Sequence, residues 1–302
     1  MSGNHYATGV CNSGADNTVL GRGAGAGGVT SQYDRCTLIG RSAAEFLSSG
    51  DDNVVIGSNA GQGPGSLPVT YGSGVIIGSG AGAALTTGSS NTCVGYQSGA
   101  VLTTGTQNTL VGYMSGTTLT ANGLTAIGFQ AAKRATTISQ SVMIGYKAGF
   151  NAETGLGNTY VGFQSGQTAV STSANTCIGA YAGNVSTGAS NTMVGYNAGY
   201  NNTTAGGNCF VGREAGKTAT TSDLCTLIGS YNDVASTGVT RSAALGYQNT
   251  INHSDCIVLG TLVTPAAAGA VYLGSASVPL TVGTVAPSAG AAGALPATPA
   301  GY

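Results

Sequence analysis

A glycine that follows an aliphatic residue returns about every 17 residues along most of the 302-residue chain. The clearest copies read Asn-Thr-x-Val-Gly-Tyr-x-Ala/Ser-Gly, as at 91–99, 108–116 and 191–199. A short unit repeated at a fixed spacing is the signature of an array whose units pack only against their neighbours. We therefore expect a stack of about sixteen similar rungs. The glycines taken as position 0 of each rung are Gly21, Gly40, Gly57, Gly78, Gly95, Gly112, Gly128, Gly145, Gly162, Gly179, Gly195, Gly212, Gly229, Gly246, Gly260 and Gly274.

The residues before each glycine predict a short β-strand. Position −1 is Val, Ile or Leu in every rung, and position −3 is Thr, Val or Ile in most. Alternate residues of a strand share a face, so positions −1 and −3 are predicted to form one buried stripe. Position −4 is often Asn, whose stacked amides are expected to form ladders between rungs. Small residues at +3 and +4, and Thr/Ser/Gly segments between rungs, indicate tight turns. The predicted fold is an all-β parallel β-roll or β-solenoid.

Position −2 is apolar in nearly every rung and never carries a charge or an amide. A ridge of this length would far exceed the apolar patch that a soluble monomer exposes. We expect this face to be buried against another copy of the chain; the alternative is a set of unrelated surface hydrophobic side chains. The predicted oligomer interface comprises Val19, Leu38, Val55, Ile76, Cys93, Leu110, Met143, Tyr160, Cys177, Met193, Phe210 and Leu227.

Position +1 is aromatic in six of seven consecutive rungs, with Ala180 interrupting the series. Rungs about 4.8 Å apart would stack these rings into a ladder along one edge. The ladder either braces the corner and adjacent chains, or forms a strip that binds glycans or further copies. Its members are Tyr96, Tyr113, Phe129, Tyr146, Phe163 and Tyr196.

Composition and motifs argue against several functions. Charged residues make up 6% of the chain and the net charge is −1, with no basic cluster, so nucleic acid is not an expected partner. No apolar run is long enough to span a membrane, and the N-terminus does not read as a secretory signal. The two histidines and the scattered carboxylates form no catalytic set, although a polysaccharide depolymerase stays an alternative. We expect a protein without catalysis, cofactor or metal.

Most of the seven cysteines fall within the repeat strand, where they are expected to act as small hydrophobic side chains. Their odd number and irregular placement argue against a disulfide framework within one chain. A bridge between chains near a symmetry axis stays open.

Three segments are predicted. Residues 1–14 form an N-terminal cap or docking segment, 15–275 the repeat domain, and 276–302 a Pro/Ala/Gly-rich capping or linking segment. Pro279, Pro287, Pro296 and Pro299 interrupt any hydrogen-bond ladder in the last segment. It is expected to run along a neighbouring subunit, sealing the assembly or linking one assembly to the next.

The rung resembles the head repeats of trimeric autotransporter adhesins and the repeats of phage and large DNA virus fibres. The segment from Leu295 to Tyr302, Leu-Pro-x-x-Pro-x-Gly-Tyr, is similar to one near the C-termini of such viral fibres. The resemblance implies an intertwined homotrimeric rod, able to join end to end into a filament. It further implies a structural or attachment fibre on a virion surface, or extracellular, whose partner is a host surface glycan or receptor. The alternative is a bacterial trimeric adhesin or a self-assembling extracellular filament subunit.

Overall fold

The computed structural model describes residues 5–7, 13–27, 31–65, 68–235 and 237–275. This part of the chain contains strands and turns and no helix. The segment 276–302 and most of 1–14, predicted as capping segments, lie outside the described residues. The strands are β1 His5–Ala7, β2 Thr18–Leu20, β3 Thr37–Ile39, β4 Val54–Ile56, β5 Val75–Ile77, β6 Thr92–Val94, β7 Thr109–Val111, β8 Thr125–Ile127, β9 Val142–Ile144, β10 Thr159–Val161, β11 Thr176–Ile178, β12 Thr192–Val194, β13 Cys209–Val211, β14 Thr226–Ile228, β15 Asp233–Val234, β16 Ala243–Tyr247, β17 Thr250–Ile251, β18 Ile257–Thr261 and β19 Val271–Ser275.

The strands stack into a parallel β-solenoid of about 15 turns with a period of 17 residues. One 17-stranded sheet runs along it, in which each strand pairs in parallel with the equivalent strand of the next turn. Equivalent repeat positions face each other across the sheet: Thr92 pairs with Thr109, Cys93 with Leu110 and Val94 with Val111. A separate two-stranded sheet joins β15 to β17. The predicted all-β solenoid is confirmed, and its register turns each repeat position into a column.

The two faces of the sheet are the reverse of those predicted. In every three-residue strand from β2 to β14 the middle residue, position −2, is buried, and its neighbours −1 and −3 are half-buried or exposed. The −2 side chains therefore fill the interior of the single chain. Alternation along a strand distinguishes two faces but does not say which one faces the inside of the coil.

The rest of the interior comes from the turns. Small residues at +3, such as Ser98 and Ala131, are buried opposite the strand. The Ser98 hydroxyl donates to the carbonyl of Leu110, 2.8 Å away. Wider coils hold a tyrosine: the Tyr33 hydroxyl donates to the Gly25 carbonyl at 2.9 Å, and the Tyr71 hydroxyl to the Gly61 carbonyl at 2.7 Å. Longer rungs are thus filled by larger side chains rather than left with cavities.

The repeat glycine is required by geometry. Gly95 has φ near +129°, and a Cβ at this position would overlap the carbonyl oxygen of Gly112 in the next rung. Only glycine accepts both the conformation and the close approach. The residues at +2 also have positive φ, as at Gln97 and Met114. These left-handed residues turn the chain sharply after each strand.

The column of asparagines at position −4 is buried and hydrogen-bonded along the rod. The Asn175 Oδ1 accepts from the backbone N–H of Asn191 at 2.9 Å, and its Nδ2 donates to the Gly188 carbonyl at 2.9 Å. A direct amide-to-amide bond joins Asn108 to Asn91 at 3.0 Å. The predicted ladder is therefore present, but most of its bonds tie one rung's side chain to the next rung's backbone.

Removing a core side chain at position −2 should destabilise the rod. Leu110 is fully buried, so Leu110→Ala should lower the free energy of unfolding by about 2–5 kcal/mol through lost burial and a cavity. Ile127 at position −1 is 37% exposed, so Ile127→Ala should cost about 1 kcal/mol. Urea unfolding followed by circular dichroism gives both values. A larger cost for Ile127→Ala than for Leu110→Ala would contradict the assignment of the faces.

Substitution in the asparagine column should also destabilise the rod. Asn175→Ala leaves a buried backbone N–H and a buried carbonyl without their hydrogen-bond partner. It should lower the free energy of unfolding by at least about 1–3 kcal/mol. Asn201→Ala, in a half-buried turn, is the matched control and should stay within about 0.5 kcal/mol. Thermal melts of the two variants compare them directly. Similar melting temperatures would show that the column contributes no stability.

Candidate functional site

Five aromatic residues at position +1 form a continuous stack on the surface of the rod. The ring centroids of Tyr96 and Tyr113 lie 5.3 Å apart, with an interplanar angle of 16°. The following pairs, through Phe129 and Tyr146 to Phe163, lie 5.0–5.2 Å apart at 6–7°. In-register pairing of the preceding strands sets this spacing. The structure thus brings these five predicted residues together.

The stacking decides which part of each ring can meet a partner. Tyr113, Phe129 and Tyr146 each have a ring on both sides, although about two fifths of each residue is exposed. Their faces are covered by neighbours, so the exposed part is the ring edge. A flat sugar ring needs an uncovered aromatic face, which the middle of the stack does not offer. This geometry favours the bracing interpretation for the regular part of the ladder.

The stack changes character where Ala180 replaces the aromatic residue. Tyr181, one position later and with φ of 60°, fills the gap. Its ring meets Phe163 at 5.2 Å and 70°, and Tyr196 at 6.2 Å and 87°, so both contacts are edge-to-face. Tyr200 lies 6.2 Å from Tyr181 at 59°. Parallel stacking is lost at this rung.

The aromatic strip continues further than the sequence analysis predicted. The Arg213 guanidinium lies over Tyr196 at 5.9 Å and over Tyr231 at 5.2 Å from the ring centroids. Tyr231 meets Tyr247 edge-to-face at 5.8 Å. Arginine at +1 can extend an aromatic column through cation–π contacts. The aromatic pattern at +1 did not predict these residues, because Arg213 is not aromatic and Tyr181 and Tyr231 lie at +2.

The predicted oligomer interface does not lie on the surface of the chain. All twelve of its residues are buried within one chain, with at most 1% of each exposed. The surface instead carries the −1 and −3 side chains of strands β2–β14, β16, β18 and β19, which we call the outward face. Aliphatic residues more than a third exposed on it include Leu20, Val75, Ile127, Ile144, Ile178, Ile228, Leu245, Ile257, Leu259 and Val271.

The outward face carries no charge, and several charged side chains pair with each other in the turns. Arg35 binds Asp52 through two bonds of 2.6 and 3.0 Å, and Arg241 binds Asp255 through bonds of 2.7 and 3.0 Å. The bond from Arg35 holds the pKa of the Asp52 carboxyl below its usual range. These bidentate pairs join one rung to the next.

The ionisable side chains do not converge on a reactive centre. Burial raises the pKa of the Cys93 and Cys177 thiols to about 12, which keeps them in the unreactive protonated form. All six cysteines in the described ranges are free thiols. Within the same ranges, no group of three His, Cys, Asp or Glu residues could hold a metal ion. Nor is there a helix there with the length and apolarity to cross a membrane.

Comparison with family models, with curated proteins and with solved structures finds no match. Function therefore has to be inferred from the geometry of this chain.

The thiols provide a chemical test of this geometry. Cys93 and Cys177 occupy position −2, so iodoacetamide at pH 8 should leave both unmodified while the protein is folded. Cys209 at position −3 is half-buried on the outward face and should react before them. Peptide mass spectrometry reads out each site, and labelling in concentrated guanidinium chloride is the control. Modification of Cys93 and Cys177 at the unfolded rate would contradict an interior position.

Proposed function

We propose that the chain is a non-catalytic structural or attachment fibre that assembles with other copies of itself. The observation that carries the proposal is the outward face, which is uncharged and has an aliphatic residue at −1 in each of the strands β2–β14, β16, β18 and β19, with Thr at −3 in most of them. Monomeric soluble proteins rarely expose contiguous apolar surface beyond a few hundred Å². The interface is thus proposed at positions −1 and −3, in place of the buried −2 residues.

The dimensions of this face suit a specific interface. About 15 turns at about 4.8 Å per turn give a rod about 70 Å long. The −1 and −3 columns lie about 7 Å apart and make a face about 10 Å wide. The resulting area of about 700 Å² is close to the roughly 800 Å² that each partner contributes to a stable interface.

The repeat resemblance supports a fibre of a phage or large virus, placed on the virion surface or outside the cell, with a homotrimer as the proposed assembly. A long stack without convergent reactive groups suits reach and attachment rather than turnover. A bacterial trimeric adhesin or an extracellular filament subunit would use the same outward face. A host surface glycan or receptor is the proposed external partner.

Charges placed on the outward face should abolish assembly. Ile127→Lys combined with Ile144→Lys adds two cations to exposed −1 positions, and should yield a folded monomer by native mass spectrometry and circular dichroism. Burying unpaired ammonium groups in an apolar interface is strongly unfavourable.

The matched control is Thr104→Lys combined with Thr137→Lys, which adds the same charge to exposed turn residues. This control should assemble like the unmodified protein. A stable monomer of the unmodified protein at micromolar concentration would contradict the proposal. So would normal assembly of the Ile127→Lys/Ile144→Lys variant.

A further inference from the structure

The break in the aromatic stack at Ala180 creates a shallow depression that is open to solvent. Tyr181, Tyr196, Asn197 and Tyr200 line a surface pocket of about 300 Å³. This volume lies at the lower end of the range for small-molecule sites. The pocket is present because Tyr181 projects from position +2 instead of +1, which turns its ring out of the column.

The pocket differs from the regular stack because its three tyrosine rings meet at steep angles instead of lying parallel, while the Arg213 guanidinium lies over the Tyr196 ring. Tyr181 stands nearly perpendicular to Tyr196 and is inclined by 59° to Tyr200. The three rings therefore present surfaces in different planes, and each carries a hydroxyl that can donate and accept. The Asn197 amide adds donors and an acceptor beside them.

The charges around the pocket select among ligand classes. Aromatic cages of this kind bind quaternary ammonium groups when their surroundings are neutral or acidic. Here the Arg213 guanidinium already lies 5.9 Å from the Tyr196 ring centroid. The nearby Glu214 carboxylate is paired with Lys217 at 2.9 Å, and no carboxylate lines the pocket. A cationic ligand would meet repulsion, whereas a neutral or acidic ligand would not.

We propose that this pocket binds a pyranose unit of a neutral or acidic saccharide. The C–H bonds of a pyranose give it apolar faces that can lie on tyrosine rings, and its hydroxyl edge can bond to Asn197 and the phenol groups. The inference rests on the proposed attachment function and deepens it by naming the place and the ligand class. It assigns recognition to one irregular rung instead of the whole ladder.

Restoring the regular repeat should remove the site. The rung at Gly95 reads Gly-Tyr-Gln-Ser-Gly, whereas the rung at Gly179 reads Gly-Ala-Tyr-Ala-Gly. The double variant Ala180→Tyr/Tyr181→Gln would place a ring back in the column and a glutamine at +2. It should keep the fold, because the same pair is accepted at Tyr96 and Gln97. Tyr113→Ala is the matched control, since it removes a tyrosine from the ladder far from the pocket.

The test uses the full chain in saturation-transfer NMR with maltotriose, chitotriose and sialyllactose as probes, and choline as the cationic comparison. We expect at least one saccharide to bind the unmodified protein and Tyr113→Ala with affinities within about twofold. The double variant should bind it at least tenfold more weakly. Absence of binding by all three saccharides, unchanged binding by the double variant, or binding of choline alone would overturn the proposal.

Native mass spectrometry of the same samples separates this inference from the proposed function. A protein that assembles but binds no probe saccharide retains its structural role and loses the pocket proposal. A monomer that binds a saccharide through Tyr181 and Tyr196 retains the pocket and contradicts assembly through the outward face.

Discussion

The in-register parallel hydrogen bonding between successive turns is the constraint on which the rest of the structure depends. It fixes each rung directly above the last, so that a residue type repeated in sequence becomes a column in space. The Gly95 Cα lies too close to the Gly112 carbonyl of the next rung to admit a side chain, and Asn175 satisfies backbone groups of the following turn. Because each unit contacts mainly its neighbours, stability accumulates along the rod instead of coming from one central core.

The repeat sequence was sufficient to predict the fold class, the strands and the aromatic stack from Tyr96 to Phe163, but it wrongly placed Tyr196 in the same ladder. It was not sufficient to orient the strand, because period-two alternation is symmetric between inside and outside. Side-chain volumes at other positions of the rung give some indication of which face is buried. In the two rungs with an aromatic residue at −2, Tyr160 and Phe210, the buried position seven residues after the repeat glycine is Ala169 or Ala219, although the small pair Ala126 and Ala135 does not follow this pattern. Compensating volumes indicate shared space in a close-packed interior.

The turn residues explain the other difference from expectation. Asparagines spaced one rung apart suggested amides bonding to one another. Apart from direct bonds such as Asn108 to Asn91, the amides instead reach backbone groups that the coil's corners leave without sheet partners, as Asn158 does with the Thr172 carbonyl at 2.7 Å. Buried backbone groups need partners, and a side chain at a fixed place in every rung can supply them. Which acceptor lies nearest depends on the corner geometry, which spacing alone does not specify.

In a periodic surface each side chain packs mainly on its equivalents in the neighbouring rungs, and for this reason the recognition site is proposed at an irregular rung. Within the regular stack each ring uses its faces on the rings above and below, so Phe129 offers a partner only its edge. On the outward face the −1 side chains also stack in register, yet residues such as Ile127 and Ile144 stay more than a third exposed, which suits contact with an equally regular copy of the chain. A single small ligand is bound by several different side chains that converge on one place, whereas a regular column repeats one side chain along the rod. Ala180 at +1 followed by Tyr181 at +2 supplies this convergence, because the ring then leaves the column and meets Tyr196 at nearly a right angle.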